Sequence, residues 1–153
     1  MQSLELKIPP PIVTAIFALG MWAVSSLRPL LPVPALVRIS IALAILLIGI
    51  GFSMAGMASF SRAKTTVNPL KPETTTSLVS SGVYRITRNP MYVGMLLVLV
   101  AWAIYLSSVW TWFGPLALSL YLTQFQIKPE ERVLTKMFGS EFDAYKAKVR
   151  RWL

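Results

Sequence analysis

Two short stretches carry the polar residues that could do chemistry in an otherwise apolar chain. The first is 82–94, GVYRITRNPMYVG, where Tyr84, Arg85, Arg88 and Asn89 lead into Pro90, Tyr92 and Gly94. The second is Pro129-Glu130-Glu131, a pair of adjacent carboxylates in a chain with only 6 acidic residues. Neighbouring acids bind an ammonium, whereas an Asn amide and the free N–H groups at a helix start bind a carboxylate. Brought together, the two stretches make a receptor for a zwitterion. Each also has a purely structural use. Asn89-Pro90 is a favoured N-cap followed by a favoured first helical residue, and Pro129-Glu130-Glu131 puts a proline and two acids in a first helical turn. Capping, however, requires neither Tyr92 and Gly94 nor the run Tyr84, Arg85 and Arg88.

Other chemistries are excluded by what the chain lacks. It has no Cys and no His, which rules out disulfides, thiolate nucleophiles, imidazole bases, and zinc or haem sites built on those ligands. No metal is expected.

The elements that must position the two stretches are membrane helices. With 55% hydrophobic residues, 14% charged residues and a mean hydropathy of +0.61 over 153 residues, the composition is that of an integral membrane protein. Four segments near the length of about 20 residues needed to cross a bilayer lie at about 10–27, 37–60, 90–108 and 110–127. The expected fold is all-α, a single-domain bundle of four transmembrane helices followed by short amphipathic helices in a cytoplasmic tail, 128–153. Pro9-Pro10-Pro11 leads straight into the first span without a secretory cleavage site, so that span is expected to stay. Arg28-Pro29 closes it.

Orientation follows from the basic residues. Of 15 Lys and Arg, the N-terminal tail, the connection between the second and third spans and the C-terminal tail hold all but Arg28 and Arg38; Lys71, Arg85 and Arg88 lie in the connection. Basic connections stay cytoplasmic, which places both termini and both polar stretches on one side of the inner membrane. The formal charge of +9 then meets anionic headgroups, and nucleic acid is not an expected partner.

Small residues Gly49 and Ser53, and Gly51 and Ala55, form rows that let helices approach closely in lipid. Trp102, Tyr105, Trp110, Trp112 and Phe113 crowd the turn between the third and fourth spans, as an interfacial belt does. The connection 61–87 is long, its Thr-, Ser- and Pro-rich run 65–81 has no helical period, and long connections of this kind are functional or disordered. In the tail, Val133, Leu134, Met137 and Phe138 share one helical face. Gly139 ends that helix, Ser140 is placed to cap the next, and Phe142, Tyr145, Val149 and Trp152 form its apolar stripe.

The ordered set Arg88-Asn89-Pro90-Met91-Tyr92-Val93-Gly94, Glu130-Glu131, Phe138-Gly139, Phe142, Tyr145 and Arg150-Arg151-Trp152 resembles the isoprenylcysteine carboxyl methyltransferase family, which shares its cofactor region with phospholipid N-methyltransferases. The resemblance runs over about 65–153. It implies an S-adenosylmethionine site open to the cytosol and a lipophilic acceptor arriving from the bilayer. Tyr84, Asn89, Pro90, Tyr92, Gly94, Glu130 and Glu131 then belong to the cofactor pocket, and Arg88, Tyr145 and Arg151 stand near the acceptor. Eukaryotic members usually have His where this chain has Asn89. Methyl transfer suits the residue inventory, because an activated sulfonium donor needs alignment and exclusion of water rather than a metal or a histidine. Carboxyl methylation of an isoprenylcysteine-like acceptor is the leading expectation, with phospholipid N-methylation and thiol S-methylation as alternatives. A reading of another class is a non-enzymatic transport or lipid-binding subunit. Against transport, the interiors of the four spans hold no ionisable residue of the kind that marks a polar pathway.

Overall fold

The computed structural model describes residues 5–26, 31–65, 70 and 72–153, and among these the chain is helical without a strand. The expected positions of Arg28-Pro29 and Lys71 lie outside the described residues. The helices are α1 (Pro10–Ser26), α2 (Ala35–Arg62), α3 (Pro90–Leu106), α4 (Phe113–Leu122), α5 (Lys128–Phe138) and α6 (Ser140–Lys148). Of these, α2 alone is long and apolar enough by itself to cross a membrane, while α1 and α3 are apolar helices of 17 residues each.

α3 is the hub: α2 lies along one flank, α1 along the other, and α4 returns beside α1 and α3. The approach of α2 to α3 depends on missing side chains. A Cβ on Gly94 would collide with Ser53 Oγ and stand 2.5 Å from the Gly49 carbonyl oxygen, and a Cβ on Gly56 would stand 2.7 Å from Met91 Cγ. Of the two small-residue rows, Gly49 and Ser53 therefore face the partner helix, whereas Gly51 and Ala55 point outward. Val13 and Met21 of α1, Leu99 and Ala103 of α3 and Leu118 and Leu122 of α4 close the bundle core. Outward faces stay apolar, with Leu19, Leu36, Leu47 and Leu120 exposed, as in a fold whose solvent is hydrocarbon.

The turn after α3 is tight, as expected. Ser107 takes a left-handed conformation (φ 51) and Ser108 is extended. The fourth apolar segment is not one regular helix, however. It opens as a 3₁₀ turn (Val109–Trp112), runs as α4, and widens into a π turn (Thr123–Ile127) before α5. Ile127 and Lys128 keep helical dihedrals, so Pro129 does not start a separate helix. Proline has no N–H for the carbonyl four residues back. Here the Phe125 carbonyl accepts the Leu6 N–H instead, at 3.1 Å, and the Lys128 N–H reaches back five residues to Thr123.

The tail departs from expectation in two respects. Gly139 (φ 50) occupies the cap position and Ser140 opens α6 without a side-chain cap. The helix then stops at Lys148 because Val149 is extended (φ −123, ψ 133). Val149 packs under α6, but Trp152 leaves its stripe, joins the bundle core and donates to Thr123 Oγ1 at 3.2 Å.

Replacing Gly94 by Ala should lower stability by about 1–3 kcal/mol, the usual cost of overpacking a close contact. Gly51→Ala meets open space and should be neutral or gain up to about 1 kcal/mol from helix propensity. Thermal unfolding in detergent followed by circular dichroism checks both, and equal midpoints for the two variants would contradict the close approach.

Candidate functional site

Where α1 and α3 begin and α2 and the π turn end, the chain encloses a cavity of about 300 Å³. Its floor is apolar: Pro10 and Pro11 from α1, Met57 and Phe60 from α2, Met91 and Met95 from α3, and Ile127. The connection that lacked a helical period covers it, since Pro72, Leu78 and Val79 face inward, and Phe142 and Tyr145 of α6 close the side. Glu130, Glu131, Tyr92, Tyr84, Asn89 and Arg88 supply the polar end.

Glu131 is the centre of an ion-paired cluster. Arg88 Nη2 donates to its Oε1 at 2.8 Å, while Arg151 donates through Nη2 to Oε2 at 2.6 Å and through Nε to Oε1 at 3.1 Å. A planar fork on a carboxylate gives this bond direction as well as strength. Burial works against the Glu131 charge, but the hydrogen bonds from Arg151 and Arg88 win and hold the carboxyl below its ordinary range. The same hydrogen bond from Arg151 to Glu131 raises the guanidinium. Arg88 reaches further, its Nη1 donating to the carbonyls of Val149 at 2.7 Å and Lys146 at 3.1 Å, so one cation also closes the C-terminal end of α6.

Glu130, one residue earlier, behaves in the opposite way. Its carboxylate accepts the Tyr92 hydroxyl. Burial pushes the carboxyl up to about 8; the Tyr92 bond lowers it in part, and the neighbouring Glu131 charge raises it. Two adjacent acids are thus split by their surroundings, one held as an anion and one poised near neutrality. Tyr145 OH donates to the Tyr84 carbonyl at 2.7 Å; burial lifts the Tyr145 hydroxyl to about 12 and moves Tyr84 higher still.

The structure brings most of the expected residues together. Tyr84, Arg88, Asn89, Tyr92, Glu130, Glu131 and Tyr145 line the cavity, and Arg151 touches it through Glu131. Pro90 and Gly94 do not line it, because they face Gly56 and Ser53 of α2 and set the helix spacing. The helix-start positions are as expected, with Asn89 at the N-cap position before Pro90 of α3 and both glutamates in the first turn of α5, but capping does not account for what the side chains do. Asn89 makes no capping bond and its amide donates to the Arg151 carbonyl at 2.8 Å, and the acids lie within a continuous helical run.

Other contributors were not among the expected site residues, although Thr87 lies within the run 82–94. Thr87, fully buried, donates to the Arg151 carbonyl at 3.2 Å. Gln126, also fully buried, donates to the Ile8 carbonyl at 2.8 Å, and Arg132 pairs with Glu5. The last two contacts bind the segment before α1 to the π turn and to α5. A polar Gln126 beside Ile127 in an apolar run was the one visible hint.

The two glutamates predict opposite responses to pH. Glu131 has a lowered folded-state value, so its stabilisation is present above the unfolded value of about 4.5 and is lost as pH falls through the lower folded value. Glu130 has a raised one, so folding is favoured below about 4.5 and that contribution is lost as pH rises towards 8. Thermal midpoints measured across this range should fall with rising pH in the wild type relative to Glu130→Gln. Glu131→Gln should lower the midpoint at neutral pH and flatten the acid limb. Parallel profiles for wild type and Glu130→Gln would refute the buried protonated carboxyl.

The family model described as phospholipid methyltransferase matches residues 37–141, from the first turns of α2 to the first turn of α6. That span contains the whole run from Tyr84 to Gly94 and both glutamates. A protein of Haemophilus influenzae, described as uncharacterized, is 46% identical over 63 residues, which is 41% of this chain and 100% of the relative. No solved structure matches. This chain belongs to the phospholipid methyltransferase family, a family of membrane methyltransferases related to the isoprenylcysteine carboxyl methyltransferases.

Proposed function

We propose that this protein methylates the amine of a membrane-borne amphiphile, an aminophospholipid by class, with S-adenosylmethionine as donor. Family membership supports the coarser statement, a membrane methyltransferase for lipophilic acceptors. The observation that carries the finer one is Glu130. It is a carboxyl near neutrality in an apolar cavity, bonded to Tyr92, while both neighbouring arginines are engaged by Glu131.

The residues present fit the donor. A cationic nucleoside needs an acid against apolar walls, which Glu130 and Phe60 provide, in a cavity of about 300 Å³, at the lower end of the range of about 300–1,000 Å³ for small-molecule sites. When bound, S-adenosylmethionine supplies a methyl group already activated on a sulfonium sulfur. An ammonium acceptor must lose a proton before its nitrogen can attack, and Glu130, whose carboxyl is pushed up to about 8, takes it from its ionised form, which the nearby sulfonium and ammonium charges would favour. Tyr92 holds that carboxyl from α3. Tyr84, Asn89 and Glu131 bound the polar end, and Pro90 and Gly94 fix α3 against α2. Arg88, Arg151 and Tyr145 keep α6 and the segment after it over the cavity, which excludes water.

Four crossings accompany this reading: α1, α2, α3 and the helical run 109–127. The exposed Lys7, Arg62, Lys64, Arg85, Lys128, Arg132, Lys136, Lys148 and Arg150 lie on the segment before α1, the end of α2, the lead-in to α3 and the chain from α5 onward, which are the elements that also line the cavity, and this distribution supports a cytoplasmic cavity end. Reporter tags at both termini and within 74–77 should therefore read cytoplasmic and a tag at Pro32 the opposite side; a split between the termini would mean an odd number of spans.

Calorimetric titration with S-adenosylhomocysteine should give saturable binding. With a radiolabelled methyl donor, an aminophospholipid should be labelled in preference to a prenylated cysteine analogue or a hydrophobic thiol. Glu130→Gln should lower kcat with the amine by about 10²–10⁴-fold, the usual contribution of a positioned base, with S-adenosylhomocysteine affinity changed only a few-fold. A carboxylate acceptor has no such proton to lose. Equal labelling of the prenylated cysteine by wild type and Glu130→Gln would replace N-methylation by carboxyl methylation, and absence of cofactor binding would remove the enzyme reading.

A further inference from the structure

The segment ahead of α1 grips the helical run that carries Glu130 on both sides of that residue. The Leu6 N–H donates to the Phe125 carbonyl at 3.1 Å and Gln126 Nε2 donates to the Ile8 carbonyl at 2.8 Å, both before Glu130, while Glu5 pairs with Arg132 after it. Prolines open the two backbone positions. Pro129 has no N–H for Phe125; Pro10 and Pro11 have none for Ile8, and the Ile12 N–H goes to the Pro9 carbonyl at 2.9 Å. The bonds from Leu6 and Gln126 therefore satisfy carbonyls that helix geometry alone leaves over.

Gln126 is the costly member of this set. It is fully buried, and its Oε1 has no hydrogen-bond partner among the described residues, a penalty that an apolar side chain of similar length would not carry. Filling space does not account for it. The residue lies within the π turn and about one turn before Glu130. Ile8, which it holds, packs against the bundle core, and Pro10 and Pro11 just beyond line the same cavity as Glu130. One bond thus ties the helix that bears the carboxyl to another wall of its cavity.

We infer that Gln126 is a positioning residue for the transfer step: by gripping the Ile8 carbonyl it fixes the turn on which Glu130 sits, so that the carboxyl faces the acceptor nitrogen and not water. This rests on the proposed function in so far as Glu130 is the base. Tyr92 holds the carboxyl at its tip from α3, and Gln126 holds the main chain behind it. The other titratable groups facing Glu130 are Tyr84, from the turn before α3, and Glu131, whose charge Arg88 and Arg151 engage. None of these fixes the π turn, which leaves that task to Gln126 and the segment it binds.

The test uses the full-length protein in nanodiscs, with S-adenosylmethionine as donor and phosphatidylethanolamine as acceptor. Infrared titration follows the protonated Glu130 carboxyl, identified as the band absent from Glu130→Gln, and needs no turnover. In Gln126→Met, which keeps the length and loses the donor, that band should titrate about one pH unit or more below wild type, because a carboxyl that swings towards water loses the burial that raised it. The kcat should fall roughly 10–10²-fold with KM changed at most a few-fold, as for a misplaced catalytic group, and the acid limb of kcat/KM should move with the band. Gln126→Asn, whose amide is one methylene short, should lie between, and it serves as the folded variant if the methionine one is unstable. Gln124→Met, on the exposed face of the same π turn, should match wild type throughout. A lower thermal midpoint with band and pH profile unmoved in both Gln126 variants would reduce the residue to a structural tie and overturn the inference, as would an equal effect of Gln124→Met. A shifted band in a protein that methylates no amine would sink the proposed function alone, and N-methylation at wild-type kcat in both Gln126 variants would sink the positioning role alone.

Discussion

The Glu131 carboxylate, held between Arg88 and Arg151, is the interaction on which the arrangement of the site depends. It joins three pieces of chain that share no other side-chain ion pair among the described residues: the lead-in to α3, the first turn of α5 and the segment after α6. Desolvating an acid and two cations is unfavourable in itself. Bidentate geometry and the further bonds from Arg88 to the carbonyls of Lys146 and Val149 offset it. Once those bonds exist, the main chain follows, with the Arg88 N–H on the Arg150 carbonyl at 2.9 Å and Thr87 and Asn89 both on the Arg151 carbonyl. The cavity wall made by Phe142 and Tyr145 is a product of this cluster rather than of hydrophobic burial alone.

Pairing also explains why two identical side chains in adjacent positions differ. A lone acid in an apolar cavity tends to take up a proton, and a second acid beside it strengthens that tendency. The arginines assign the charge to Glu131 and leave Glu130 to the apolar side, where Tyr92 is its hydrogen-bond partner. Division of labour between neighbouring carboxyls through their surroundings is a recurrent means of obtaining an acid or base that works near neutral pH.

Much of this was legible in the chain itself, and the reasons for the rest are physical. Apolar runs and proline positions located α1, α2 and α3 within a few residues, and the run 82–94 and the glutamate pair were identifiable as one site because basic residues oriented both to the same end. What periodicity does not encode is which of two small-residue rows meets a partner. Gly49 and Gly51 look alike until α3 is in place, and Gly94, which resembled a cofactor contact, belongs to that same interface. Arg88 and Arg151 were legible as site residues, but their common partner was not, since an ion pair across 20 and 43 positions leaves no local pattern. Trp152 was assigned to the stripe of α6 by helical spacing, and the spacing lost its meaning where Val149 left the helix.

The π turn before Pro129 has a consequence of its own. Such a turn amounts to one residue more than a regular helix would hold over the same rise, and each residue advances a helix by about 100°. That single surplus sets the phase between the bundle row Leu118, Leu122 and the cavity row Ile127, Glu130, Leu134. Loss of Gln124 alone would leave every cavity-lining side chain in the chain and restore a smoother helix, yet it would turn both glutamates away from the cavity and bring the Pro129 ring against a regular turn. This family's tolerance should therefore be wide for replacement along that helix and narrow for insertion or deletion, so that homologues drift in residue type there while the count between Trp110 and Glu130 stays constant.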